Sequence, residues 1–143
     1  MPFRFPEEIA TADVVFEAWG ETRGELFAAS AAALLRTMAA APEQVERRET
    51  LEIVLEHDEL DLLLFSFLQE LIFYKDARRL LLHADSVGIE ERSTGYHLEA
   101  RVAGERLDAG RHKPQVDVKA VTLHHLRVAC EDGLWKCMVE LDV

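Results

Sequence analysis

The sequence predicts an α+β fold, a mostly antiparallel sheet with two helices packed on one face. Two observations carry that expectation. Stretches in which apolar residues alternate with polar ones outnumber stretches with helical periodicity, and short turn sequences join the alternating stretches into hairpins. Strands that outnumber helices and are linked by tight turns favour an antiparallel sheet with the helices gathered on one side.

The elements follow in order. Val14 to Trp19 is rich in β-branched and aromatic residues and stops at Gly20, which reads as a strand. Thr22 and Glu25 form a capping box, and Leu26, Phe27, Ser30, Ala31, Leu34, Leu35 and Met38 then recur at helical spacing, predicting a helix with one core face. Pro42 ends that region. Thr50 to Leu55 alternates again. Asp58 is the expected N-cap of a second helix running to about Tyr74, whose broad apolar face (Leu60, Leu63, Leu64, Phe67, Leu68, Leu71, Ile72) predicts the deeper burial of the two. Val87 to Glu91 and Tyr96 to Val102 flank a Ser93-Thr94-Gly95 turn. A polar loop is expected from Leu107 to Asp117. Two last strands, Val118 to Cys130 and Trp135 to Leu141, meet at Asp132-Gly133.

At 143 residues the chain has the usual size of one compact domain, so residues 1–143 are expected to form a single unit. Sixteen basic against 27 acidic side chains leave a net charge of −11. That field repels phosphate backbones, which argues against direct nucleic-acid binding. No run approaches the roughly 18 apolar residues that span a bilayer, and the first residues lack the apolar core of a signal peptide, so no membrane association and a cytoplasmic location are expected. Cys130 and Cys137 fall out of register across an Asp132-Gly133 hairpin, where Cys130 would face Trp135 and Cys137 would face Val128. Two reduced cysteines in the core are expected, and no Cys/His spacing suggests zinc.

Catalytic motifs are missing: there is no nucleophile elbow, phosphate loop, zincin helix or EF-hand spacing. The chain instead places Asp13 just before its first strand and stops at Asp142-Val143, just after its last. If those strands pair, Asp13, Asp142 and the Val143 carboxylate gather several oxygens, a donor set for a hard cation such as calcium or magnesium. Spacing alone favours the plainer alternative, a turn residue and a solvated chain end. His124 and His125 are successive strand residues and point to opposite faces, which argues against a shared ligand. His124 is in phase with Leu126, Val128 and Cys130 and is expected in the core. His112 is expected on an exposed loop, and Lys119 in solvent.

Several segments together resemble one family, the archeases. They are Thr11-Ala12-Asp13, Gly20-Glu-Thr-Arg-Gly-Glu-Leu-Phe, the helix from Leu62 to Tyr74, Gly104-Glu-Arg-Leu-Asp with Arg111-His112, Val118-Lys-Ala-Val-Thr-Leu-His124 and Leu141-Asp142-Val143. The resemblance runs nearly end to end. It implies a strand–helix–strand–strand domain carrying an inserted second α/β unit. It also implies a non-catalytic accessory protein of an RtcB-type RNA ligase, promoting guanylylation of that ligase and its multiple turnover in tRNA splicing or RNA repair. By the same resemblance a divalent cation, calcium with magnesium or manganese as alternatives, is held by Asp13, Asp142 and Val143. Lys119 and His112 belong by resemblance to the partner-facing surface. The chain departs from the family in carrying Ala10 where a histidine usually precedes Thr-Ala-Asp, so any role of that histidine is either lost or taken over by Glu7 or Glu8. The competing expectations are a chaperone-like module for an RNA-modifying enzyme and, less supported, a metal-dependent hydrolase lacking a visible nucleophile or base.

Overall fold

The computed structural model describes residues 2–6 and 13–143. Glu7, Glu8 and Ala10, on which the departure from the family motif turns, lie outside the described residues.

Among the described residues the chain forms β1 (Phe3–Arg4), β2 (Asp13–Gly20), α1 (Arg23–Met38), β3 (Glu49–His57), α2 (Leu60–Arg78), β4 (Leu80–Arg92), β5 (Gly95–Arg106), α3 (Ala109–His112), β6 (Ala120–Glu131) and β7 (Leu134–Asp142). The fold class is α+β and mostly antiparallel, as expected. The strands, however, divide into two sheets: a four-stranded one in the order β1-β2-β7-β6 and a three-stranded one in the order β3-β5-β4. The first contains both the opening and the closing strands, and the second is made wholly from the middle of the chain.

Two sheets change the position of the helices. α1 packs against β2 of one sheet and β4 of the other, and its buried positions (Leu26, Phe27, Ala29, Ser30, Ala31, Ala33, Leu34, Leu35, Thr37, Met38) run around its circumference instead of along one stripe. A helix covered on both sides needs small residues, which explains the alanine-rich stretch from Ala28 to Ala33. The deeper of the two helices is therefore α1, contrary to the expectation for α2, which buries only one face and exposes Phe73. At the start of α1, Thr22 caps the helix by accepting from the Glu25 N–H, as the capping box predicts. Gly24 lets the helix meet β4 closely, since a Cβ there would lie 2.2 Å from the Val87 carbonyl oxygen. Arg23 joins the two sheets: its guanidinium lies 5.3 Å from the Tyr96 ring centroid and 4.8 Å from that of Trp135, and it pairs with Glu91. The second helix is capped at Glu59 without a side-chain bond, so Asp58 is not its N-cap.

The Asp132-Gly133 hairpin has the expected register, with Cys130 opposite Trp135 and Cys137 opposite Val128. Both central residues have positive φ, the geometry of a tight two-residue hairpin turn. The cysteines are unpaired, but only Cys137 is in the core; its thiol is pushed up to about 11 by burial. Cys130 shares the core-facing side of β6 with Val128 but lies at the hairpin end of that edge strand, and it is exposed.

The loop expected from Leu107 to Asp117 contains the short helix α3, capped by the Asp108 carboxylate. It holds a buried polar cluster that sequence patterning does not show. His112 is fully buried, not exposed. Its Nδ1 accepts from the Asp108 N–H at 2.8 Å, which leaves Nε2–H to donate to Glu105 at 3.1 Å. Glu105 also accepts from Arg111 at 2.7 Å and from the Glu46 N–H at 2.6 Å, and Arg48 lies 3.2 Å away. These donors hold its carboxyl at about 2, below the ordinary value of 4.5, with the Arg111 bond the largest cause. Glu105 thus ties α3 to β5 and to the segment before β3. His112 is one of its struts.

Two outcomes test this. Glu105→Gln keeps the shape but loses the charge-assisted bonds, and urea unfolding is expected to show a loss of roughly 2 kcal/mol. Because the folded state holds the carboxylate more tightly than the unfolded chain, its contribution is complete above pH 4.5 and is lost as pH falls from there towards 2. The variant should show a shallower loss of stability than wild type across that interval.

Candidate metal-binding face

Antiparallel pairing of β2 with β7 places Asp13 directly opposite Asp142, Val15 opposite Glu140 and Glu17 opposite Met138. These residues share the face of the sheet that α1 does not cover, because the alternate residues Phe16, Ala18, Cys137, Val139 and Leu141 are in the core. The sequence expectation that the first and last strands meet is met by this register. Asp13 is half-buried and Asp142 exposed, and half-buried Val143 packs partly on the core immediately beyond. Lys119 precedes β6 and is exposed, and its N–H donates to the Asp142 carbonyl at 2.8 Å, fixing the backbone of the final strand.

The neighbourhood is crowded with carboxylates. Partial burial, together with Glu140 and Asp142 and a hydrogen bond to Glu140, pushes the Asp13 carboxyl above the usual aspartate range, with burial the largest cause and His124 acting the other way. Glu140 moves in the opposite direction, held low chiefly by His125. Where two carboxyl groups touch, one binds the proton more readily. Here that one is Asp13, since Glu140 has the imidazoles.

The structure overturns the expectation for those imidazoles. Pairing of β6 with β7 is regular from Ala120 to Thr122 and again from Arg127, but the register shifts between. Thr122 pairs with Glu140 and Arg127 with Met138, so Leu123 to Leu126 are looped out opposite Val139 alone. His125 takes a positive φ of 64° within this bulge. Both histidines then turn to one side, with ring centroids 3.8 Å apart. His125 Nδ1 lies 3.0 Å from Glu140 Oε1, and His124 Nδ1 3.5 Å from Oε2. His124 is not a core residue: its side chain is 72% exposed, and the Glu140 side chain beneath is 6% exposed. Alternation argues only for regular strands. The Thr122-Leu-His-His stretch, with its polar and β-branched start, contains no glycine to announce a bulge.

The face thus presents two sets of donors. Asp13 and Asp142, opposite each other on β2 and β7, offer carboxylate oxygens. Glu140 with His124 and His125 offers one carboxylate and two imidazole nitrogens, and sequence reasoning missed this second set entirely.

Comparison with known proteins agrees with this architecture. The model of the Archease protein family (MTH1598/TM1083) matches residues 3–143. The protein archease of Thermococcus gammatolerans is 39% identical over 126 residues, covering 87% of this chain and 88% of that one. That of Pyrococcus abyssi is 34% identical over 134 residues, covering 93% and 94%. The solution structure of protein 1598 of Methanobacterium thermoautotrophicum superposes with a TM-score of 0.85 at 33% identity, covering 99% of both chains. The fold also matches a Thermotoga maritima archease, described as a possible chaperone, with a TM-score of 0.64 at 20% identity over 98% of this chain and 97% of that one. With its whole described length matched by the family model, and with relatives above 30% identity over most of both chains, this chain belongs to the archease family.

Proposed function

We propose that this protein is a non-catalytic accessory factor of an RtcB-type RNA ligase, acting in the cytoplasm with a divalent cation held by Asp13, Asp142 and Val143. It promotes guanylylation of the ligase and its multiple turnover. The observation that carries the reading is the register that sets Asp13 opposite Asp142 on the sheet face away from α1. Carboxylates gathered without a cation repel one another, and the Asp13 carboxyl is raised first by burial and then by its neighbours Glu140 and Asp142. Oxygen donors of this kind suit calcium, with magnesium or manganese as alternatives. Bound there, the cation neutralises a carboxylate cluster on a surface that exposed Lys119 borders. The charge of −11 suits approach to a basic RNA-binding cleft, for which the protein itself does not compete as an RNA binder.

A second reading, a chaperone-like module for an RNA-modifying enzyme, draws on the description of the Thermotoga relative. Asp13 separates the two. Mixed with its cognate ligase, GTP and metal, the wild-type chain should accelerate formation of the covalent nucleotide adduct, and Asp13→Ala should not. If the wild-type chain gives no acceleration at any ratio, the ligase reading fails. If Asp13→Ala retains full effect on partner solubility while the adduct assay shows no effect of either chain, the chaperone reading stands instead.

The same carboxylates tie stability to the cation. Asp13→Asn removes one charge while keeping a hydrogen bond to Glu140, so in chelator its urea midpoint is expected above that of wild type. Calcium should reverse the order. It stabilises the wild type, by about 2.7 kcal/mol at a free concentration about 100 times Kd, and leaves the variant unmoved. A wild-type midpoint insensitive to calcium, magnesium and manganese would remove the site.

A further inference from the structure

The bulge in β6 is a costly local structure, held in part by the Thr122 hydroxyl, which bonds the backbone of His124, and by Leu126, which packs on the core. His125, a non-glycine residue, takes a φ of 64°, and four residues give up their sheet pairing. What the distortion achieves is to bring two adjacent histidines, which a regular strand would point to opposite faces, over one carboxylate. A ligand atom from each of His124, His125 and Glu140 lies within 4.8 Å of the others. Glu140 is held in place: it is buried in the sheet, and the Thr122 hydroxyl sits 3.4 Å from its Oε2. The two rings above it are open to solvent, with side chains 72% and 40% exposed. Donors about 3.3 Å apart would surround a tetrahedral ion with bonds of about 2.0–2.1 Å, so modest ring rotation closes the set.

We propose that His124, His125 and Glu140 form a binding site for a borderline first-row divalent cation of the zinc class, distinct from the oxygen-donor set of Asp13, Asp142 and Val143. Two imidazoles and one carboxylate suit zinc or cobalt and are poorly matched to calcium, which seeks six to eight oxygens. The set leaves at least one coordination position open on the solvent side, available to Asp13, to water or to a donor from a partner. Asp13 shares the face of Glu140, diagonal to it across the β2–β7 pair, so it is a residue of the hard-cation set that can serve either ion. The face then discriminates between cations by chemistry: oxygen donors at the chain terminus, nitrogen donors on the bulge. This assignment does not depend on the ligase reading.

The test uses the full chain, stripped with chelator and titrated with zinc alone, with cobalt alone and with calcium alone. Calorimetry should show one zinc per chain, and cobalt should give the intense visible absorption of a low-coordinate nitrogen-ligated ion. His125→Gly is chosen because glycine accepts the positive φ, so the fold is kept while an imidazole is lost. His124→Ala alters an exposed side chain. Each should weaken zinc binding by at least about 10-fold and leave the calcium response intact, whereas Asp142→Asn should do the reverse. Circular dichroism of each variant in chelator checks the fold. Absence of zinc binding to the wild-type chain overturns the proposal. Zinc binding unchanged in both histidine variants also overturns it, placing the ion on other histidines or on the exposed Cys130.

Discussion

The structure depends on the pairing of β2 with β7. Strands from opposite ends of the sequence lie side by side at the centre of the four-stranded sheet, and the remaining elements are placed by that pairing. One face of the pair, Phe16, Ala18, Val139 and Leu141, supplies the floor on which α1 rests. The second sheet, formed from the chain between, closes over the other side of the same helix. Such a long-range contact is entropically costly to form, and it is stabilised only once both faces of α1 are covered. The helix, made narrow by alanines and capped at Thr22, is the common core of two sheets that share no strand.

The same pairing sets the chemistry. Because side chains alternate, every contact that buries an apolar residue of β2 or β7 against α1 puts its neighbour on the uncovered side. Asp13, Glu140 and Asp142 are brought together by that rule. Their mutual repulsion is a cost in the isolated chain and the basis of the cation binding proposed for this face. The carboxylate cluster around Glu105 shows the contrast: there arginines, a histidine and a backbone N–H satisfy a single acid, and the result is a structural lock in place of a binding site. Number and sign of the neighbours, and not burial alone, separate the two roles.

Much was legible in the sequence. Val14 to Trp19, the capping box at Thr22, the Asp132-Gly133 hairpin and its register all follow from local rules, because turn chemistry and period-two alternation act over a few residues. Asp13 and Asp142 were nominated as partners by the family resemblance, since spacing alone favoured a turn residue and a solvated end. The errors share one cause. His112 was expected in solvent and is fully buried, since the loop around it folds into α3 over Glu105. Cys130 was expected in the core and is exposed, because its alternation is real but no layer covers that end of the strand. α1 was expected to bury one face, and a second sheet, invisible to periodicity within the helix, buries the other.

The sequence by itself determined the class of fold, the strands and helices, the hairpin registers and the family, since each is written in short-range pattern or in residues that stand in order along the chain. Tertiary structure alone decided the division into two sheets, the burial of His112 and the convergence of His124 and His125 on Glu140. The physical reason is the bulge. A single register shift between Thr122 and Arg127 changes which way the side chains point, and it becomes visible only once the pairing of the two strands is known.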